Sequence, residues 1–137
     1  MINTNELRIG NWVAAKAIMS GGREGHPVSI MVETIGTRGI NKWQDMGASG
    51  ETLFSDLIGI QLNTEILQKY GFEKFDNTPF YKIQLPLNIA ELSINPNNGV
   101  VWLKKIDGRI NPIGGKFLHQ LQNLYFALTG EELQYNP

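Results

Sequence analysis

Lys116-Phe117-Leu118-His119-Gln120-Leu121-Gln122-Asn123-Leu124-Tyr125-Phe126-Ala127-Leu128 carries the clearest periodicity in the chain. Phe117, Leu118, Leu121, Leu124, Tyr125 and Leu128 fall on one arc of a helical wheel, spaced as 3.6 residues per turn requires. The spacing predicts an amphipathic helix that closes a core, and Thr129-Gly130 supplies its stop. Glu131-Glu132-Leu133 then begins a short tail packed back on the body.

Upstream of this helix the period is that of strands. Phe80 to Leu85 ahead of Pro86, Ile89 to Ile94, and Val100 to Ile106 are strand candidates. Pro96-Asn97-Asn98-Gly99 joins the last two as a hairpin, with Gly99 free to take a positive φ. Before them, Asn63 or Thr64 caps a helix of about two turns. Its apolar residues Ile66, Leu67 and Tyr70 cluster on one side, and Gly71-Phe72 stops it.

The N-terminal segment reads as short strands punctuated by glycine. Leu7, Ile9 and Val13 oppose Arg8, Gly10, Trp12 and Ala14, giving a first strand. After a loop from Ser20 to Pro27, Val28, Ile30 and Val32 alternate with Ser29, Met31 and Glu33. Gly36 and Gly39 bracket a turn into Ile40 to Gln44, and the loop Met46 to Gly50 leads to a fourth strand, Thr52 to Leu62. This pattern predicts a small antiparallel sheet or an SH3-like barrel. The fold class expected is therefore α+β in one domain over 1–137. Barrel-like strands occupy 1–62; a helix, a second antiparallel strand set and the closing helix occupy 63–137.

At 137 residues the chain is long enough for one real core and too short for two independent ones. With 42% hydrophobic and 18% charged residues it holds ample apolar area to offset chain entropy. The formal charge of -1, with no Lys or Arg block, disfavours duplex DNA as a partner. Cysteine is absent, so disulfides, thiolate chemistry and Cys-type zinc sites are excluded. No stretch has the charged start and apolar run of a signal peptide or the apolar length to span a bilayer, so the expected compartment is the cytoplasm, without a membrane partner.

Catalytic chemistry is hard to assemble. His26 and His119, the only histidines, are too far apart for a local metal pair, and no paired-carboxylate or calcium-loop motif appears. Asp45, Glu51 and Asp56 are scattered through glycine-rich strands, where carboxylates are usually just solvated. No cofactor is expected and no catalytic residue is assigned.

Binding chemistry has more material. Gly21, Gly22 and Gly25 make a loop carrying Arg23 and His26, of a kind that closes over phosphate-bearing ligands but more often simply connects. Asn111-Pro112-Ile113-Gly114-Gly115-Lys116 leads into the last helix, where free N–H groups, a positive helix end and Lys116 can converge on an anion. The plainer reading is a turn at Gly114 and Gly115 with a solvated Lys116. Trp12, Trp43 and Trp102 sit in strand candidates; an exposed Trp beside Arg23 or Arg38 suits stacking on a nucleobase. His119, Gln122, Asn123 and Phe126 lie opposite the apolar stripe of the last helix. Ordinary structural packing explains them, and a self-association or partner surface is the sharper reading.

Three segments together resemble a family of small phage, prophage and mobile-element proteins of gut bacteria: Asn5-Glu6-Leu7-Arg8-Ile9-Gly10-Asn11-Trp12-Val13, the stretch from Ile60 to Phe72, and the stretch from His119 to Leu133. The resemblance covers both ends and the middle of the chain, whereas Met19 to Gly50 contributes nothing to it. It implies context, an accessory protein acting inside a bacterium, and carries no activity or site residue with it.

The function expected is that of a non-enzymatic accessory protein binding a small anionic ligand, such as a nucleotide signal of host defence. Arg23, His26, Arg38, Trp43, Gly114, Gly115 and Lys116 are its candidate ligand-binding residues, and a homo-oligomer is expected through Phe126. The alternative is a protein-binding inhibitor of a host protein, acting through the Phe126 face or a sheet edge. A hydrolase or nuclease ranks last.

Overall fold

The computed structural model describes residues 2–15, 18–19, 23–24, 28–42, 51–86, 90–105, 110–113 and 116–136. The chain divides into two units, Met1–Ile60 and Gln61–Pro137. The architecture is α+β, with an antiparallel sheet in each unit and the longest helix near the C-terminus.

The first sheet is built from β1 (Trp12–Ala15), β4 (Val28–Ile35), β5 (Gly39–Lys42), β6 (Glu51–Leu53) and β7 (Leu57–Ile58). Its strand order is β6-β5-β4-β1-β7. Val13 lies across from Ile30, and Ala15 from Leu57, and all four are buried. Together with Ile2, Val32 and Ile40 they form one core, against which Leu7 and Phe54 pack.

The edge strands β6 and β7 are joined only by a 3-10 turn, Phe54–Asp56. Such a turn rises about 2 Å per residue and so bridges roughly 8 Å. The edges of a flat five-stranded sheet lie about 19 Å apart. The sheet must therefore curl until its edges approach, which is the geometry an SH3-like barrel requires. Gly39 sits where β6 lies close against β5: a Cβ there would run into the backbone carbonyl of Thr52.

Three expectations change in this unit. The first strand starts at Trp12 rather than Leu7, because Gly10 has a φ of 93° and the Asn11 side chain accepts the Arg8 N–H at 2.7 Å, turning the chain. The expected strand Thr52 to Leu62 breaks at Phe54–Asp56. Phe54 and Leu57 are three residues apart, a spacing that eclipses side chains in a 3-10 turn and brings both to the core. The glycine loop from Ser20 to Pro27 carries part of a short ladder, β2 (Ile18–Met19) with β3 (Arg23–Glu24).

In the second unit, Asn63 caps α1 (Thr64–Lys69) by accepting the Ile66 N–H at 2.8 Å. The sheet that follows runs β12-β11-β10-β9-β8: β8 (Glu73–Lys74), β9 (Tyr81–Gln84), β10 (Ala90–Asn95), β11 (Val100–Lys105) and β12 (Ile110–Ile113). Gly99 closes the β10–β11 hairpin at φ 69°, and a Cβ there would also press on the Lys116 side chain. β12 falls where a loop was expected. Pro112 hid it, and a proline is admissible because β12 is an edge strand.

The closing helix, α2 (Leu118–Thr129), buries Leu118, His119, Leu121, Gln122 and Tyr125. This arc is rotated from the expected apolar stripe, since Leu124 and Leu128 are only half-buried while two polar side chains go inside. The tail returns onto α1 as anticipated. Leu133 is buried, the Asn136 N–H donates to the Lys69 carbonyl at 2.6 Å, and Tyr135 meets Tyr70 with ring centroids 5.3 Å apart.

Candidate functional site

Strand alternation gives the second sheet two unlike faces. Tyr81, Ala90, Leu92, Ile94, Val101 and Leu103 are buried on one. On the other, the register places Lys82 beside Ser93 and Ser93 beside Trp102. The neighbouring row pairs Glu91 with Lys104 across β10 and β11. Phe80 precedes Lys82 by two residues and shares its face, and Phe75 is fixed opposite Phe80 by a backbone bond of 2.9 Å.

These side chains line an open concavity of about 340 Å³, formed by Phe75, Phe80, Lys82, Glu91, Ser93, Trp102 and Lys104. That volume lies at the small end of the range in which ligand pockets are found. The Lys82 ammonium sits 4.0 Å from the centre of the Phe75 ring and 3.8 Å from a Glu91 carboxylate oxygen. Trp102 is half-buried and lines the concavity. Lys82 and Trp102 stand two strands apart, a separation of about 10 Å. The lining thus combines three aromatic side chains with two lysines and a carboxylate, so a planar, anionic molecule would meet aromatic surface and cation together.

None of the described residues among those expected to bind ligand lines this concavity. Arg38 is exposed in the turn between β4 and β5 of the first unit. Arg23 belongs to β3. His26, Trp43, Gly114 and Gly115 lie outside the described residues. Lys116 is exposed ahead of α2, where the N–H groups of Lys116 and Phe117 both donate to Gln120 Oε1, at 2.9 and 3.2 Å.

The expected interface on α2 is also divided. His119 and Gln122 are buried, at 1% and 3% exposure, so they present no surface to a partner. His119 stacks on Phe117 with ring planes 10° from parallel and centroids 5.9 Å apart. Asn123 is half-buried, and Phe126 alone of the four is exposed. Among the described residues no group of three His, Cys, Asp or Glu side chains is placed to hold a metal ion. Among them, too, no helix is long and apolar enough to cross a membrane.

The sequence singles out Trp102 as one of three tryptophans, but not its companions in the concavity. The hairpin Pro96 to Gly99 carried the signal: it pairs Asn95 with Val100, which sets Ser93 against Trp102 and Glu91 against Lys104. No family model, no characterised protein and no solved structure matches the chain.

Proposed function

We propose that this chain is a non-enzymatic binding protein whose ligand is a nucleotide, seated on the open face of the second sheet. The observation that carries the reading is the joint placement of Trp102, Phe75 and Phe80 with Lys82 and Lys104 around one concavity. A nucleobase stacks on one of these aromatic rings, and a phosphate takes charge-assisted hydrogen bonds from the lysines. The resemblance to small phage and mobile-element proteins supports a setting in which such binding is useful: an accessory protein that sequesters a nucleotide signal of host defence.

The test is calorimetric titration of the wild type, Trp102→Ala and the double variant Lys82→Ala/Lys104→Ala against a panel of nucleotides with chelator present. Removing the indole is expected to cost roughly 1–3 kcal/mol of binding, the worth of one base–aromatic stack. The double variant is expected to weaken binding and to lessen its salt dependence. Absence of binding by the wild type, or binding that both variants leave unchanged, would overturn the assignment.

A further inference from the structure

Glu91 is out of place in a site for anions. Its carboxylate lies 3.8 Å from Lys82, and its strand position is directly opposite Lys104. Directly opposed side chains have Cβ atoms about 5 Å apart, so Glu91 is a near neighbour of both lysine positions in the same concavity. Two cations and one anion leave the cluster a single positive charge. That charge matches a phosphodiester, which carries one negative charge, better than a phosphomonoester, which carries about 1.5 to 2 near neutral pH. A dianion would gain from Lys82 and Lys104 but would also face the Glu91 carboxylate.

The same carboxylate is an acceptor with no donor of its own. Exocyclic amino and ring imino groups of bases are donors, and carboxylates read them. Ser93, next to Glu91 on the same face of β10, supplies a hydroxyl that both donates and accepts. Base-edge recognition and phosphate discrimination thus meet at one residue.

We infer that the sheet-face site selects a phosphodiester-linked nucleotide over a free 5′-monophosphate, with Glu91 as the residue that sets the preference. The inference rests on the nucleotide reading of this face. Cyclic dinucleotides and linear oligonucleotides share the diester chemistry, so both belong in the test.

Wild type, Glu91→Gln, Glu91→Asp and Trp102→Ala would be titrated with guanosine and adenosine 5′-monophosphates, linear dinucleoside monophosphates and cyclic dinucleotides. The wild type is expected to bind the diesters more tightly. Glu91→Gln removes the carboxylate charge and is expected to shift the ratio toward the monophosphates by roughly two- to fivefold, the range of one exposed charge pair. Glu91→Asp, which keeps the charge, is expected to keep the preference, and Trp102→Ala to weaken every ligand alike. Cyclic against linear affinity identifies the source of the diester. Equal or tighter binding of monophosphates by the wild type, or a ratio unmoved in Glu91→Gln while Trp102→Ala still weakens binding, would sink the role of Glu91 alone. No binding of any probe would remove the nucleotide reading and this inference with it.

Discussion

Two tyrosines in the second unit tie its stability to their phenol protons. Burial raises the pKa of Tyr70, and the neighbouring Tyr135 raises it further; burial likewise raises Tyr125, with Glu131 adding to the effect. Each phenol therefore holds its proton more strongly in the folded chain than in the unfolded one, whose ordinary value is 10.0. The resulting stabilisation is fully present below that pH and is lost as pH rises through the raised folded values. Urea midpoints are expected to stay level through neutral pH and to fall above pH 10. Tyr70→Phe and Tyr125→Phe together should flatten the alkaline fall, since phenylalanine has no proton to lose. An alkaline slope equal to that of the wild type would show that other groups govern it.

At the scale of elements, α2 gives the sharpest test of packing. Leu121 is buried at 1% exposure, whereas Leu124, also within the expected apolar stripe, is only half-buried. Leu121→Ala should cost about 2–5 kcal/mol, and Leu124→Ala clearly less, because a partly solvated site loses less transfer energy and leaves no closed cavity. Denaturant unfolding of the pair decides which arc of the helix faces inward, and equal losses would restore the stripe read from apolar spacing alone. That misreading has a physical cause: a hydrophobic wheel gives no weight to His119 and Gln122, yet both are buried, with His119 stacked on Phe117. Elements fixed by local chemistry were legible. Asn63 capped α1, Gly99 turned the β10–β11 hairpin, and Gly130 ended α2 in the left-handed conformation, each as its residue type demands. Elements fixed by partners were not. β12 takes Pro112 only because one edge is unpaired, and the break at Phe54–Asp56 answers to a core that local periodicity cannot show. The candidate site divides the same way. Pairing of Ser93 with Trp102 follows from the hairpin turn, whereas Phe75 reaches Lys82 only through the pairing of β8 with β9 and its own bond to Phe80, for which the sequence carries no turn signal as plain as Gly99.

For the whole molecule, the consequence concerns where stability and binding reside. Every strand of the second sheet pairs within Gln61–Pro137, from β8 at one edge to β12 at the other. The ends of this unit are also held internally. Gln61 bridges to Phe117, the Leu62 N–H donates to the Lys116 carbonyl at 3.2 Å, and Asn136 bonds to Lys69. The residues lining the concavity, Phe75 to Lys104, all belong to the same unit. Residues 61–137 expressed alone are therefore expected to unfold cooperatively in denaturant and to bind nucleotide with the affinity of the full chain, whereas residues 1–60 should bind none. Circular dichroism, urea titration and calorimetry of the two fragments would check this. A 61–137 fragment that is folded but fails to bind would mean that the sheet face is not the whole site. If it does not fold, its core needs the first unit, and the ladder, bridge and tail contacts fall short of offsetting the chain entropy by themselves.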